Sequence, residues 1–244
     1  MLFGPELLLM AVAAGLYVYD SALLLYSNEG ILTLKGARDW RVSFGSNQIR
    51  LMGKEVFVPN PLFPHRPQFR LLWDTQRKPG KIDAGWEARR ALFKPLLPMT
   101  WGMTLALFVL LPLGFFTRLG EPMLIAAIGV LYLNIIAVLV LLGIRRSRYG
   151  LSGKRFVVLA FESLVCSPLA LNLVRKVSAG IPIHEDLVTI ARELQSPANW
   201  NASRIAIITR LDEELDLEDE HSERAVALRR FRDGLLANDM PCPQ

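Results

Sequence analysis

The sequence predicts an α-helical multi-pass membrane protein. It comprises three transmembrane helices, a fourth apolar segment that is spanning or interfacial, a small antiparallel β-meander between helices 1 and 2, and a helical C-terminal tail. Three observations predict it. Lys94 and Arg118 bracket 23 uncharged residues, and Glu121 and Arg145 bracket another 23. At a rise of ~1.5 Å per residue, each run is long enough to cross the ~30 Å hydrocarbon layer of a bilayer. Only Arg118-Leu119-Gly120-Glu121 separates them, which forces an antiparallel helical hairpin. Second, the mean hydropathy of +0.29 is too low for spanning helices alone, so aqueous parts must accompany them. Third, the aqueous parts differ in sign. Residues 28–98 carry thirteen Lys/Arg against six Asp/Glu, a net of +7, and residues 175–244 carry nine against thirteen, a net of −4.

These patterns divide the chain into a transmembrane helix over 1–27, a cytoplasmic β-meander with a Pro-rich connector over 28–81, an interfacial helix over 82–95, a transmembrane hairpin over 96–144, a basic loop and fourth apolar segment over 145–176, and a helical acidic tail over 177–244. Helix 1 runs from about Leu7 to Tyr26. No Lys or Arg precedes it and it exceeds the apolar core of a secretory signal, so it reads as retained. Asp20 lies six residues before Tyr26, off the bilayer centre, where a carboxylate costs less than the ~2.5–3.5 kcal/mol of the midplane. Helix 2 is expected over Leu96–Phe116, with Pro98 harmless in its first turn and Pro112 bending its last. Trp101 is placed as an interfacial anchor, and helix 3 follows over Met123–Ile144.

Between helices 1 and 2, apolar/polar alternation predicts strands at Ile31–Leu34, Trp40–Phe44, Gln48–Leu51, Glu55–Val58 and Gln68–Trp73. Gly36, Gly45-Ser46-Asn47 and Gly53-Lys54 supply the turns. Pro59, Pro61, Pro64 and Pro67 then stiffen a connector, and Asp83–Lys94 is expected as a short helix on the bilayer surface. In the tail, 3.6-residue stripes predict helices around Leu187–Leu194, around Ile205–Leu215 with Ser203 as N-cap, and around Leu228–Leu235, ending near Gly234 or Asn238.

The fourth segment, Phe156–Val174, has the length to span but contains Glu162, Ser163, Ser167, Pro168 and Asn172. Basic residues flank the first three spans on one side: Arg38, Arg41, Arg89, Arg90 and Lys94, then Arg145, Arg146, Arg148, Lys154 and Arg155. The rule that such residues stay cytoplasmic puts the N-terminus outside and residues 28–95 cytoplasmic, and the expected location is the plasma (inner) membrane. If Phe156–Val174 crosses, Arg175-Lys176 end up outside, against that rule. A re-entrant or interfacial helix is therefore preferred.

Motifs for chemistry are sparse. Cys166 and Cys242 are the only cysteines, too few for a thiolate metal site. His65, His184 and His221 lack metal-ligand spacing, and no phosphate-binding glycine loop or nucleophile elbow occurs. No catalytic, cofactor-binding or metal residue is assigned, and no cofactor is expected. The run Asp212, Glu213, Glu214, Asp216, Glu218, Asp219, Glu220 lacks the glycine of a calcium loop and reads as a solvated or partner-docking face, its own basic loop being one such partner. Asp20, Asn134 and Glu162 form the candidate intramembrane polar site, since polar groups in lipid need partners. Arg89, Arg90, Arg145, Arg146 and Arg148 are the candidate headgroup contacts.

The expected role is a non-catalytic subunit or scaffold of a membrane-associated assembly. Its partners would be the bilayer and a protein or a second copy of itself, not nucleic acid, because topology alone explains the basic loop. The alternatives are an ion- or proton-coupled transporter or channel component, with Asp20 and Glu162 facing each other across an oligomer, and an interfacial lipid-handling enzyme using Glu162, His184 or Glu185.

Overall fold

The computed structural model describes residues 4–36, 39–74, 85–118 and 120–237, apart from the side chain of Asn47. The chain is predominantly helical with a small antiparallel β component. It divides into two compact units: Met1–Leu23, Phe57–Phe69 and Ala84–Pro182 form the first, and Leu24–Val56, Arg70–Asp83 and Ile183–Gln244 form the second.

In the first unit, α1 covers Pro5–Ser21. It stops short of the predicted Tyr26 because Ala22 turns to extended backbone (φ −67°, ψ 137°) and Leu23–Leu25 form a strand, β1. The leucine run that reads as helix is thus shared between two elements. At 17 residues, or about 25 Å, α1 is shorter than a full span. A six-residue helix α2, Trp86–Ala91, stands where the interfacial helix is predicted; its expected start at Asp83 lies outside the described residues. A 3₁₀ turn at Lys94–Leu96 leads into α3, Leu97–Leu105, a π-helical turn over Ala106–Leu110, and α4, Leu111–Phe116. The wider turn immediately precedes Pro112, whose missing N–H removes the normal bond to the carbonyl four residues back. Gly120–Ile144 is α5, an unbroken 25-residue helix. These are the two helices long and apolar enough to cross a membrane among the described residues, Trp86–Phe116 taken as one and Gly120–Ile144.

The hairpin packs through small residues. A Cβ built on Gly102 would meet Asn134 Oδ1 at 2.6 Å, and one on Gly114 would meet the Leu124 side chain at 2.6 Å, so both positions demand glycine for helix–helix approach. The predicted fourth helix is broken. Its pieces are α6 (Gly153–Val165), α7 (Ser167–Ala170) and α8 (Leu173–Ala179). Cys166 N still donates to Glu162 O at 2.9 Å, but its own backbone leaves the helical region (φ −127°, ψ 86°) and Pro168, lacking an N–H, follows, so α6 ends there.

The second unit contains most of the strands. All five predicted strands are present, as β2 (Glu29–Lys35), β3 (Asp39–Ser43), β4 (Ser46–Leu51), β5 (Lys54–Phe57) and β6 (Gln68–Leu72). They do not make one meander. With β1 they form two three-stranded sheets, ordered β1-β5-β4 and β3-β2-β6. The β2–β3 hairpin is antiparallel, pairing Leu32 with Val42 and Leu34 with Trp40; β4–β5 is antiparallel with an irregularity between Ser46 and Arg50. The tail forms α9 (Leu187–Leu194), α10 (Pro197–Leu215) and α11 (Glu223–Ala237). Asp186 caps α9, its carboxylate accepting from Thr189 N at 3.0 Å. Ser196, followed by Pro197, caps α10; the predicted cap Ser203 is instead buried inside that helix. Asn238, one expected end of α11, lies outside the described residues.

Candidate functional site

Asp20 and Glu162 converge within one chain, in the first unit. Lys176 on α8 joins them, its Nζ lying 2.6 Å from Asp20 Oδ1 and 2.9 Å from Glu162 Oε2. The helix positions explain it. Asp20 sits in the last turn of α1, Glu162 in the last turn of α6, and Lys176 on the return leg beyond the Cys166 break. Burying the Lys176 ammonium is costly, and its contacts with both the Asp20 and Glu162 carboxylates offset that cost.

Around this triad the polar atoms are shared. Asn172 Nδ2 donates to Asp20 Oδ2 at 3.0 Å and to the Tyr17 carbonyl at 2.9 Å, both in the last two turns of α1. Arg175 donates to Asn172 Oδ1 at 3.2 Å and to the Asn60 carbonyl at 2.6 Å, while the Tyr17 hydroxyl donates to the Pro61 carbonyl at 2.5 Å. The proline connector is therefore bonded to the helices rather than a free spacer. His65, in the same connector, stacks on Trp101 with centroids 4.8 Å apart. Burial first, then the charges of Arg66 and Arg175, hold the His65 pKa below the ordinary value, so the ring is neutral near pH 7.

Asn134, the third predicted polar residue, is separate. Its Nδ2 donates to Val130 O of its own helix at 2.7 Å, and its side chain rests on Gly102. It is a packing residue of the hairpin. Neither Asn172 nor Arg175 nor Lys176 had been assigned to a site, because 152 residues separate Asp20 from Asn172 and basic residues after an apolar run read as topology signals.

The five candidate headgroup arginines gather at the open end of the hairpin. Tyr149, after α5, donates its hydroxyl to Leu92 O at 2.7 Å, and its ring lies 5.4 Å from that of Phe93. That contact ties the end of α2 to the turn carrying Arg145, Arg146 and Arg148. Arg146 and Arg148 are exposed, as is Lys94; Arg89 lies over the Trp86 ring at 4.8 Å and Arg90 lies 3.3 Å from Glu87. Among the described residues, Arg145, Arg146, Arg148 and Lys94 have no carboxylate within ion-pair distance.

In the second unit the acidic run is matched by arginines. Glu213 pairs with Arg50 at 3.2 Å, Glu218 with Arg224 at 2.8 Å, Asp212 with Arg232 at 3.1 Å, and Glu214 binds Ser27. The basic loop thus does supply a partner to the tail. Beneath them Arg210, side chain 8% exposed, holds Glu55, 3% exposed, at 3.0 Å and donates to Gly45 O at 2.8 Å. A cleft of about 220 Å³ opens beside this pair, lined by Ser27, Arg50, Glu213, Glu214 and Arg224 among others. Its charges face each other rather than an open centre. Among the described residues, no group of three or more His, Cys, Asp or Glu side chains is placed to hold a metal ion. His221 lies 3.8 Å from Asp219 on an exposed loop. Compared with known proteins, the chain matches no protein-family pattern, no characterised protein and no solved structure.

Proposed function

We propose that this chain is a non-catalytic multi-pass membrane protein that serves as a subunit or scaffold of a membrane-associated assembly. One observation carries the reading. The hairpin helices direct large apolar side chains outward, Leu105, Phe108, Val109 and Phe116 on one and Ile125, Leu133, Ile136, Val140 and Ile144 on the other. Only 28% of each apolar window is buried within the chain. An exposed apolar area of that extent needs lipid or protein to cover it. Meanwhile Asp20, Glu162 and Lys176 are joined to each other, which supports a structural use of them. Under this reading Arg89, Arg90, Arg145, Arg146 and Arg148 meet anionic headgroups at one membrane face. The proposed location is the plasma membrane, with that face cytoplasmic.

Proton- or ion-coupled transport is the second reading, favoured by the meeting of Asp20 and Glu162. Lys176 weakens it, since an ammonium between two carboxylates cancels the negative charge that would attract a cation. The experiment compares both. The purified chain in mild detergent is expected to resist prior carbonate extraction and to form a homo-oligomer or a fixed-ratio complex by native mass spectrometry. In proteoliposomes it should leave ion and proton flux at the lipid background. A partner-free monomer would sink the scaffold reading, and flux abolished by Asp20→Asn would replace it with transport.

A further inference from the structure

We infer that residues 153–180 form a re-entrant hairpin, entering and leaving the bilayer on the face of the Arg145–Arg148 turn. The tail helices α9–α11 therefore lie on the same side as strands β2–β5. The inference rests on the membrane reading above, and two independent observations carry it.

The first is local geometry. Helix α6 has 13 residues, about 20 Å, too short to cross ~30 Å of hydrocarbon. It runs back along α5. A Cβ on Gly143 would touch the Phe156 ring at 3.3 Å, and eight residues later the Leu164 carbonyl accepts from the Tyr132 hydroxyl at 3.2 Å, near the midpoint of α5. There the helix breaks at Cys166, and the chain returns. Lys176 reaches Glu162 at 2.9 Å, and Arg155 donates to the carbonyls of Lys176 at 2.9 Å and Gly180 at 3.0 Å. The Arg155 guanidinium occupies the space that a Cβ at position 180 would need. Residues 155 and 180 thus stand side by side, whereas the 25 residues of α5 advance the chain by about 36 Å. Irregular backbone at membrane depth requires protein around it and bonded polar groups. Here Asn172 and Lys176 bond to Asp20 and Glu162, while Ala170 and Leu171 are fully buried.

The second observation is parity. Residues 24–56 precede the hairpin and residues 183–244 follow it, yet both belong to the second unit. They share the Arg210–Glu55 pair, the Asn199–Asp39 bond and the Ser27–Glu214 bond. A unit joined by such bonds cannot straddle a bilayer, so the chain between its parts crosses an even number of times. Helices α3–α4 and α5 make two crossings. A third, through residues 156–174, would divide the unit.

The test uses the full-length chain with Cys166→Ser and Cys242→Ser, in sealed vesicles of known orientation. Arg118→Cys, Lys154→Cys and Pro182→Cys are introduced one at a time, all at exposed positions, and labelled with a membrane-impermeant maleimide. Positions 154 and 182 are expected to react from one face and position 118 from the other. If 182 reacts with 118, the re-entrant hairpin is overturned while the membrane reading stands. If 118 reacts with 154, the hairpin of α3–α5 does not cross and the membrane reading itself fails. Should the variants not fold, protease on wild-type vesicles decides. Cleavage in the exposed 216–222 loop from the face that also exposes Arg148 supports the inference, and cleavage there only from the opposite face overturns it.

Discussion

The two units differ in where they leave their large apolar side chains, although each also draws one charged cluster inward, Asp20–Lys176–Glu162 in the first and Arg210–Glu55 in the second. In the first, Leu8, Leu133, Ile144 and Phe161 point outward, and Asp20, Glu162 and Lys176 turn toward one another. In the second, Leu25, Ile31, Leu32, Ile190 and Ile207 are sealed, and Arg50, Glu213, Arg224 and Arg232 stand on the surface. The second arrangement is what water imposes on any globular unit. The first matches the membrane reading proposed above, in which lipid would solvate the outward hydrocarbon and leave those three charges no partner but each other. Comparing them shows why apolar composition alone misleads. The leucines at 23–25 and those at 7–9 are equally greasy, yet the former are strand residues, with Leu25 fully buried, and the latter are exposed on α1.

Removing ion-pair partners in each unit sharpens the contrast. Arg210→Ala should produce the largest loss, about 3–5 kcal/mol, because it strands the Glu55 carboxylate where almost no solvent reaches. Thermal unfolding of the detergent-solubilised chain measures it, and Glu55→Gln in the same background should restore part of the loss. A shift no larger than that of a surface arginine would mean the pair is not buried in solution. Lys176→Met should cost less, about 1–3 kcal/mol, since Glu162 keeps some solvent while Asp20 loses its closest cation. Adding Asp20→Asn and Glu162→Gln should recover stability. If the triple variant is no better than Lys176→Met, mutual repulsion of the two carboxylates is not the cause.

The smallest effect is expected from His65 and reads out as pH dependence. Its folded-state pKa is depressed, so the unfolded chain binds the proton more readily. Stability linked to this ring is fully present above the ordinary histidine pKa of about 6.5 and declines as pH falls from there toward the folded value. His65→Phe, which keeps a ring against Trp101, should flatten the melting-temperature profile between about pH 7.5 and 5. An unchanged slope would assign the acid sensitivity to other groups.

How much was legible in the sequence follows the range of the forces involved. Five strand positions and helix α9 could be read directly, because alternation and 3.6-residue spacing record which face of a local element is covered. The hairpin was legible because charges bracket it and four residues join its halves. The first strand was not, since nothing in Leu23–Leu25 distinguishes helix continuation from pairing with β5. The meander failed for a similar reason: β3 and β4 follow in sequence, but pairing is chosen by the sheets as assembled. The polar site was half legible. Asp20 and Glu162 stood out as carboxylates in apolar runs, whereas Lys176 had the appearance of a flanking charge. The flanking Arg175-Lys176 pair had already favoured a return, but nothing in the sequence marked Lys176 as the partner of both carboxylates.

By itself, then, the sequence determined the two apolar helices of the hairpin, which strands alternate, and which end of the hairpin bears arginines. These depend on neighbours within a turn or two and on solvent preference per residue. Tertiary structure alone decided where residues 153–180 turn back, that Asp20 and Glu162 share Lys176, and that two stretches more than a hundred residues apart build one sheet-and-helix unit. Each of those needs contacts between distant segments, and their stability comes from satisfying polar groups that no local pattern can pair.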